Sequence, residues 1–180
     1  MMPILIKLLT KADLSPGLLD SFNRYQHVNR RLTQEDGRWV YKDVDRIRQW
    51  DEDDKKEMLD LLSRGLDSGG FVYGAFDEED KLIAFASLLS SFFGSENQYI
   101  QLESMAVSKE FRRKGLARDL FNLCAKKAKD LGAKKLYIST NPSEQSQLFY
   151  TNIGCVDAVE INEKQAELEP YDRQMEFVLY

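Results

Sequence analysis

The chain has 180 residues, 43% of them hydrophobic, and a formal net charge of −5, which suits one domain with an ordinary core and excludes disorder and internal repeats. No apolar run reaches the roughly 18 residues of a membrane span, and Ile4 to Leu9 is too short and wrongly flanked for a signal peptide, so a cytoplasmic protein with no membrane partner is expected. Cys124 and Cys155 sit in apolar runs and are expected as buried thiols of a reduced compartment rather than a disulfide.

In chain order, Ile4 to Leu9 predicts a short first strand. Ser15-Pro16 opens a predicted helix through about Val28, with proline at an early position where its missing N–H costs little. Residues 29–50 mix polar residues with Trp39, Val40, Tyr41, Val44, Ile47 and Trp50 and give no clear assignment. A second helix is predicted from Asp53 or Asp54 to Leu66, where Met58, Leu59, Leu61, Leu62 and Leu66 form an apolar stripe behind an acidic first turn. Phe71 to Phe76, Leu82 to Ser90 and Tyr99 to Val107 read as three strands of an antiparallel meander. Helical spacing follows from Leu116 to Leu131, ended by Gly132. Lys135 to Ser139 has the composition of a buried strand, and Gln145 to Asn152 reads as a short helix closed by Gly154. Two last strands, Cys155 to Ile161 and Gln174 to Tyr180, flank an acidic loop. The order predicts a mixed α/β (α+β) fold with a central mixed sheet, in which Tyr99 to Val107 runs parallel to its successor across a helix.

Charge is unevenly distributed. From Lys109 to Lys135 ten Lys or Arg face three acids, a net of +7, whereas from Asp51 to Asp80 eleven acids face three bases, a net of −8. One region can therefore hold a polyanionic ligand while the protein as a whole repels nucleic acid and membrane. The basic region begins with a strand, a turn containing Gly115 and a helix start. A helix N-terminus leaves N–H groups without intrahelical partners and carries partial positive charge, so this is a phosphate cradle, with Arg112, Arg113 and Lys114 adding full charges.

The pattern Arg112-x-x-Gly115-x-Ala117 resembles the pyrophosphate-binding motif of the GNAT superfamily of acyl-CoA-dependent N-acetyltransferases. Asn141, followed by Gln147-Leu-Phe-Tyr-Thr-Asn-Ile-Gly154, resembles its second signature. The resemblance covers about two-thirds of the chain, from Phe71 to the C-terminus. It implies a GNAT-like fold, a mostly antiparallel sheet of about six to seven strands flanked by about four helices, in a single domain. Residues 1–70 would be acceptor-side helices and 71–180 the acetyl-CoA-binding core.

Carried over residue by residue, the resemblance implies that the backbone from Met105 through Ala106 to Val107 bonds the pantetheine arm and polarises the thioester carbonyl. The strand splays from its neighbour in this family, often at a bulge, which frees main-chain N–H groups. Arg112, Arg113, Lys114, Gly115, Leu116, Ala117 and Arg118 would cradle the diphosphate, Asn141 would contact pantetheine, and Tyr150 would protonate the leaving thiolate. Without the motif Tyr150 is a core aromatic beside Phe149.

The implied reaction is direct attack of a neutral amine on acetyl-CoA, without a metal; the sequence has no Cys-x-x-Cys and no pair of histidines. Glu103 is the candidate base, directly or through water, because it and Gln101 share strand parity with Met105 and Val107 if no bulge intervenes. The other reading of Glu103 is a surface carboxylate. His27, the single histidine, reads as a helix-surface or core residue. The acidic segment Glu160 to Asp172 either attracts a cationic amine or is a solvated loop. Two rival functions are a catalytically silent acyl-CoA-sensing module and a nucleic-acid binder, the latter short of interleaved aromatics. The acceptor and the oligomeric state, a homodimer included, stay open.

Overall fold

The computed structural model describes residues 3–180. Among them run β1 (Leu5–Leu8), β2 (Gln26–Glu35), β3 (Arg38–Arg48), α1 (Glu52–Asp67), β4 (Phe71–Phe76), β5 (Leu82–Leu88), β6 (Tyr99–Val107), α2 (Leu116–Leu131), β7 (Lys135–Thr140), α3 (Glu144–Asn152), β8 (Val156–Asp157), α4 (Glu163–Leu168) and β9 (Arg173–Val178). Seven strands form one sheet in the order β1-β4-β5-β6-β7-β9-β8, and β2 and β3 form a separate hairpin. Within the large sheet only β6 and β7 pair in parallel, as the strand-helix-strand reading requires.

Two apolar layers bury the sheet. On one face α2 turns Leu116, Leu120, Phe121, Cys124 and Ala128 inward at helical spacing, onto Ile100, Leu102, Leu136, Ile138 and Met175. On the other face Leu62 of α1 packs with Leu19, Phe22, Val72, Phe76 and Phe85. A fully buried side chain of this size contributes about 1.5 to 3 kcal/mol. The helix ends are closed locally. Asp51 and Asp54 cap α1 reciprocally, each carboxylate accepting the other's backbone N–H at 2.9 Å. Gly132 ends α2 in the left-handed region at φ 104°, where glycine has no Cβ to clash. No helix of the described residues is long and apolar enough to cross a membrane.

The N-terminal third departs from the sequence expectation. Residues 15–28 are not a helix: Leu18, Asp20 and Phe22 donate to Ser15, Gly17 and Leu19, which are isolated three-residue turns, and the chain then enters β2. The helical spacing of Leu18, Leu19 and Phe22 serves to anchor these turns in the core, while Gly17 and the extended run after Tyr25 favour no helix. Residues 29–50, unassigned from sequence, complete the hairpin. Its turn is Asp36-Gly37, both at positive φ (48° and 75°), the strongest short hairpin signal a sequence carries. Residues 3–70 thus hold a strand, a hairpin and one α-helix instead of a strand and two helices.

At the other end, the strand expected from Cys155 to Ile161 shrinks to Val156–Asp157, and α4 forms inside the segment read as a loop. That segment is fastened to the sheet. The backbone N–H groups of Val159 and Asn162 donate to Glu176 Oε2 at 3.1 Å and to the Tyr137 hydroxyl at 3.0 Å.

Candidate active site

The parallel pairing of β6 with β7 ends at Leu102 and Ile138. Beyond it, Ser104 to Val107 pair only with β5, and Ser139 and Thr140 only with β9. The two strands splay, and the gap between them is the centre of the site. A bulge accompanies the splay. Ser87 faces Ser104 and Leu88 faces Leu102, so Glu103 has no partner across the ladder. Two hydrogen bonds record the slip: Leu89 N–H donates to the Gln101 carbonyl, and Ser108 N–H donates to the Ile83 carbonyl. Residues 101 and 108 both bond β5 although an odd number of steps separates them. Antiparallel alternation then turns the N–H groups of Met105 and Val107 away from β5 and into the gap.

The same slip corrects the sequence parity. Met105 and Val107 pack on the α2 side and Ala106 on the α1 side. Glu103 does not share the face of Met105 and Val107. Its carboxylate lies on the α1 side, where a Cβ added to Gly65 would come within 3.4 Å of Oε2. Burial pushes the Glu103 carboxyl above its ordinary value, opposed by Arg64 and the Ser87 hydroxyl. A carboxyl raised by burial is a stronger proton acceptor, once ionised, than a solvated one. A groove of about 480 Å³ opens along α1, with Trp50, Asp54, Glu57, Asp60 and Arg64 on its walls.

Past the end of β6 the chain makes a short 3₁₀ turn and enters α2 through Gly115. The backbone N–H groups of Arg113, Lys114, Gly115, Leu116, Ala117 and Arg118 donate to no acceptor among the described residues; the first intrahelical bond is from Asp119 to Gly115. Arg113 and Gly115 both have positive φ, 60° and 87°, a geometry that gathers successive N–H groups into an anion-binding concavity. A Cβ at Gly115 would meet nothing within 4 Å, so the space in front of the cradle is open. Arg113, Lys114 and Arg118 are exposed. Leu116 is buried in the α2 core and holds the cradle to the sheet.

Arg112 departs from the expected role. Its guanidinium donates to the carbonyls of Val107 (2.9 Å), Tyr25 (2.6 Å) and Arg24 (3.2 Å), which leaves it a clasp between β6 and the hairpin and not a free charge in the cradle. On the opposite arm, Asn141 Oδ1 accepts the Ser143 N–H at 3.0 Å, which orients its amide beside the end of β7. Tyr150, on α3, packs edge-on against Phe121 and Phe149. Its hydroxyl makes no hydrogen bond among the described residues, and burial pushes the phenol well above its ordinary value, so it stays protonated at neutral pH.

The sequence profile of the acetyltransferase (GNAT) family matches residues 29–155, more than half of the chain. The chain belongs to the acetyltransferase (GNAT) family. Its fold is similar to that of nourseothricin acetyltransferase, at 13% identity and TM-score 0.69 over 98% of this chain and 99% of that one. It is similar also to an acetyltransferase of the GNAT family from Staphylococcus aureus Mu50, at 17% identity and TM-score 0.65 over 99% and 100%. PaiA N-acetyltransferase from Thermoplasma acidophilum, solved in complex with coenzyme A, shares 14% identity and TM-score 0.60 over 98% and 99%. At such identities the likeness speaks for the fold. No curated protein matches the sequence.

In this GNAT fold, several buried polar groups on the two arms, α3 and the hairpin lack partners. Five buried side-chain atoms among the described residues lack a hydrogen-bond partner: Glu103 Oε2, Thr140 Oγ1, Gln147 Oε1, Arg31 Nε and Arg48 Nη1. Folded chains pair nearly all such atoms, so each orphan is a place where a ligand or water can complete the set. Glu103 stands on the β6 arm and Thr140 on the β7 arm. Gln147 donates from Nε2 to the Asn141 carbonyl at 2.8 Å. The hairpin reaches the same place, since Leu32 N–H donates to the Pro142 carbonyl at 2.7 Å and Arg30 pairs with Glu144 at 2.7 Å. Sequence reasoning missed Arg31, Arg48, Thr140 and Gln147; the Asp36-Gly37 turn was the one local signal that could have placed the first two. His27 lies on the exposed side of the hairpin, 2.6 Å from Asp45, outside the site.

Proposed function

We propose that this GNAT protein transfers the acetyl group of acetyl-CoA to a primary amine by direct attack. The observation that carries the reading is the alignment of two backbone features along one path: the inward N–H groups of Met105 and Val107 at the gap, and the unpaired N–H cradle from Arg113 to Arg118. The cradle fits a diphosphate, with free donors, exposed cations and no Cβ in the way at Gly115. The coenzyme A bound to the PaiA relative supports the same cofactor here.

Each residue then has a task. Arg113, Lys114 and Arg118 neutralise the diphosphate while the N–H groups fix its position. Asn141 donates to the pantetheine arm. The Met105 and Val107 N–H groups stabilise negative charge on the thioester oxygen as the amine nitrogen bonds to the acetyl carbon. Glu103 takes the proton of the incoming ammonium, directly or through one water. As the carbon–sulfur bond breaks, Tyr150 gives its proton to the thiolate, and the second proton, shed by the newly acylated nitrogen, restores the phenol through water. Residues 1–70 shape the acceptor side. Cys124 and Cys155 are free and buried, their thiols pushed up to about 12, which supports a reducing cytoplasmic setting and no role in the chemistry.

Calorimetry with acetyl-CoA and CoA, followed by a screen of amines that reads thiol release, tests the proposal. Binding with acceptor-dependent release supports it. No binding of either compound at millimolar concentration removes it.

A further inference from the structure

The face of the sheet turned away from α2 carries a directed chain of hydrogen bonds that ends at the gap. Asn162 N–H donates to the Tyr137 hydroxyl at 3.0 Å, and that hydroxyl donates to Gln174 Oε1 at 2.5 Å. Gln174 Nε2 donates to Ser139 Oγ at 3.0 Å, which commits the Ser139 proton to Asp172 Oδ2, also at 3.0 Å. A backbone bond from Asp172 N–H to the Glu169 carbonyl at 3.1 Å closes the turn that presents the carboxylate. Asp172 is thus held in one place, as an acceptor, at the mouth of the gap.

The register sets this carboxylate across the gap from Glu103. Leu102 and Ile138 are the last pair of β6 and β7, and both pack on the α2 side. Glu103 and Ser139, the first residues past that pair, stand one on each arm and turn to the opposite face. Gln101 lies one row below them on that face, paired in register with Tyr137. It is only 7% exposed, and its side chain makes no hydrogen bond among the described residues. Glu103 Oε2 is likewise buried and unpaired. A buried amide and a buried carboxylate oxygen, both without partners, mark the floor between the arms as a place for a polar ligand.

No cation of the chain pairs with Asp172. Arg173 is turned to Asp157 at 2.6 Å, Arg31 lies over the Tyr171 ring, and Arg48, whose charge reaches Asp172, makes no ion pair with it. Burial, and with it the second negative charge of Glu169 from the same turn, pushes the Asp172 carboxyl up to about 7. We infer that Asp172 binds a second ammonium group of the acceptor, so that the substrates of this protein are diamines, one amine entering the gap at Glu103 and the other held at the β7 arm. The inference rests on the acetyl-transfer function proposed above. β6 and β9 are two strand spacings apart, about 10 Å, which suits two amines joined by a short alkyl chain. An ammonium at Asp172 completes an ion pair, whereas a hydroxyl leaves the carboxylate without a counter-charge and a carboxylate meets like charge.

The test is a thiol-release assay on matched acceptors of one chain length: a diaminoalkane, the amino alcohol and the amino acid with its carboxylate at the far end, each at saturating acetyl-CoA. The wild type is expected to favour the diamine over the amino alcohol by about tenfold or more in kcat/KM, and to use the amino acid least. Asp172→Asn should bring the ratio of diamine to amino alcohol close to one, acting mainly through the KM of the diamine. Ser139→Ala, which frees the carboxylate without removing it, should raise the diamine KM more than it changes kcat. CoA calorimetry on each variant checks that it is folded. Equal or better use of the amino alcohol or the amino acid by the wild type overturns the inference without need of any variant, as does a ratio in Asp172→Asn that stays at the wild-type value. If CoA binds but no member of any series is acetylated, the acetyl-transfer reading falls and this inference falls with it; if amines are acetylated without preference for the diamine, the inference alone falls.

Discussion

Arg112 Nε donates to the Val107 carbonyl at 2.9 Å, and the same guanidinium reaches the carbonyls of Tyr25 and Arg24 at 2.6 and 3.2 Å. One side chain thus joins the end of β6 to the segment that leads into the hairpin. Burial lowers the Arg112 pKa without threatening its charge, so the three bonds are charge-assisted. Arg112→Ala leaves three carbonyls without their donor and is expected to cost about 2 to 4 kcal/mol, read as a fall in the urea midpoint at unchanged slope. A variant within about 0.5 kcal/mol of wild type would show that the clasp contributes nothing.

Gly115 separates space from conformation. Nothing lies within 4 Å of a Cβ placed there, but φ is 87°. Gly115→Ala should therefore cost only the strain of a left-handed residue, about 1 kcal/mol. Gly115→Glu adds bulk and negative charge in front of the cradle and should abolish CoA binding in calorimetry while the protein still melts cooperatively. Retained affinity in Gly115→Glu would place the diphosphate elsewhere.

From Phe71 to Asn152 the fold was legible because its signals are local. Tyr99 to Val107, the amphipathic stripe of α2 and its Gly132 stop all stand where periodicity and turn chemistry put them. The hairpin was not, because Val28 and Leu32 bury only one edge of long polar strands and a bulge between Val28 and Arg30 breaks their alternation. At the site, the cradle could be read from a contiguous motif, but the face of Glu103 could not. A bulge shifts parity by one residue and leaves no mark in composition. Arg31 and Arg48 were invisible for another reason: what distinguishes them is the partner they lack, which only the folded arrangement reveals.

Tyr150→Phe keeps the contacts with Phe121 and Phe149 and removes the hydroxyl alone. CoA affinity should be nearly unchanged and kcat lowered by about 10- to 1,000-fold, the range for loss of a proton donor in the transition state. Single-turnover kinetics with a competent acceptor reads this directly. Unchanged turnover would return Tyr150 to the role of a core aromatic.

Asp172 gives a stability test of the mouth. Its carboxyl is pushed up to about 7, first by burial and then by the neighbouring Glu169. A folded pKa raised above the unfolded value means that the native chain holds a proton which the unfolded chain has released. Stability is therefore lost as pH rises across the window from about 4 to 7. Asp172→Asn, which stays neutral and still offers an oxygen to Ser139, should melt higher than wild type at pH 8 and at the same temperature at pH 4. A difference that does not change with pH would mean that Asp172 is solvated like any surface carboxylate.

Glu103 carries the same sign with a catalytic consequence. Burial against Gly65 raises its folded pKa, so Glu103→Gln should gain stability relative to wild type as pH rises above the ordinary carboxylate range, and gain none below it, where both side chains are neutral. Activity should move the other way. A base that takes a proton from an ammonium gives a rate that climbs with pH until the base or the amine has titrated. Wild-type kcat/KM should climb with an apparent pKa above that of a free carboxylate. Glu103→Gln should be slow at neutral pH, by about 10²- to 10⁴-fold, and recover part of the loss at high pH, where the free amine needs no base. The two measurements together are decisive: a variant that is stabilised at neutral pH yet matches wild-type rates across the whole range, with the acceptor KM unchanged, would leave Glu103 as a buried carboxyl with no part in the chemistry and shift the proton to water or to the hairpin.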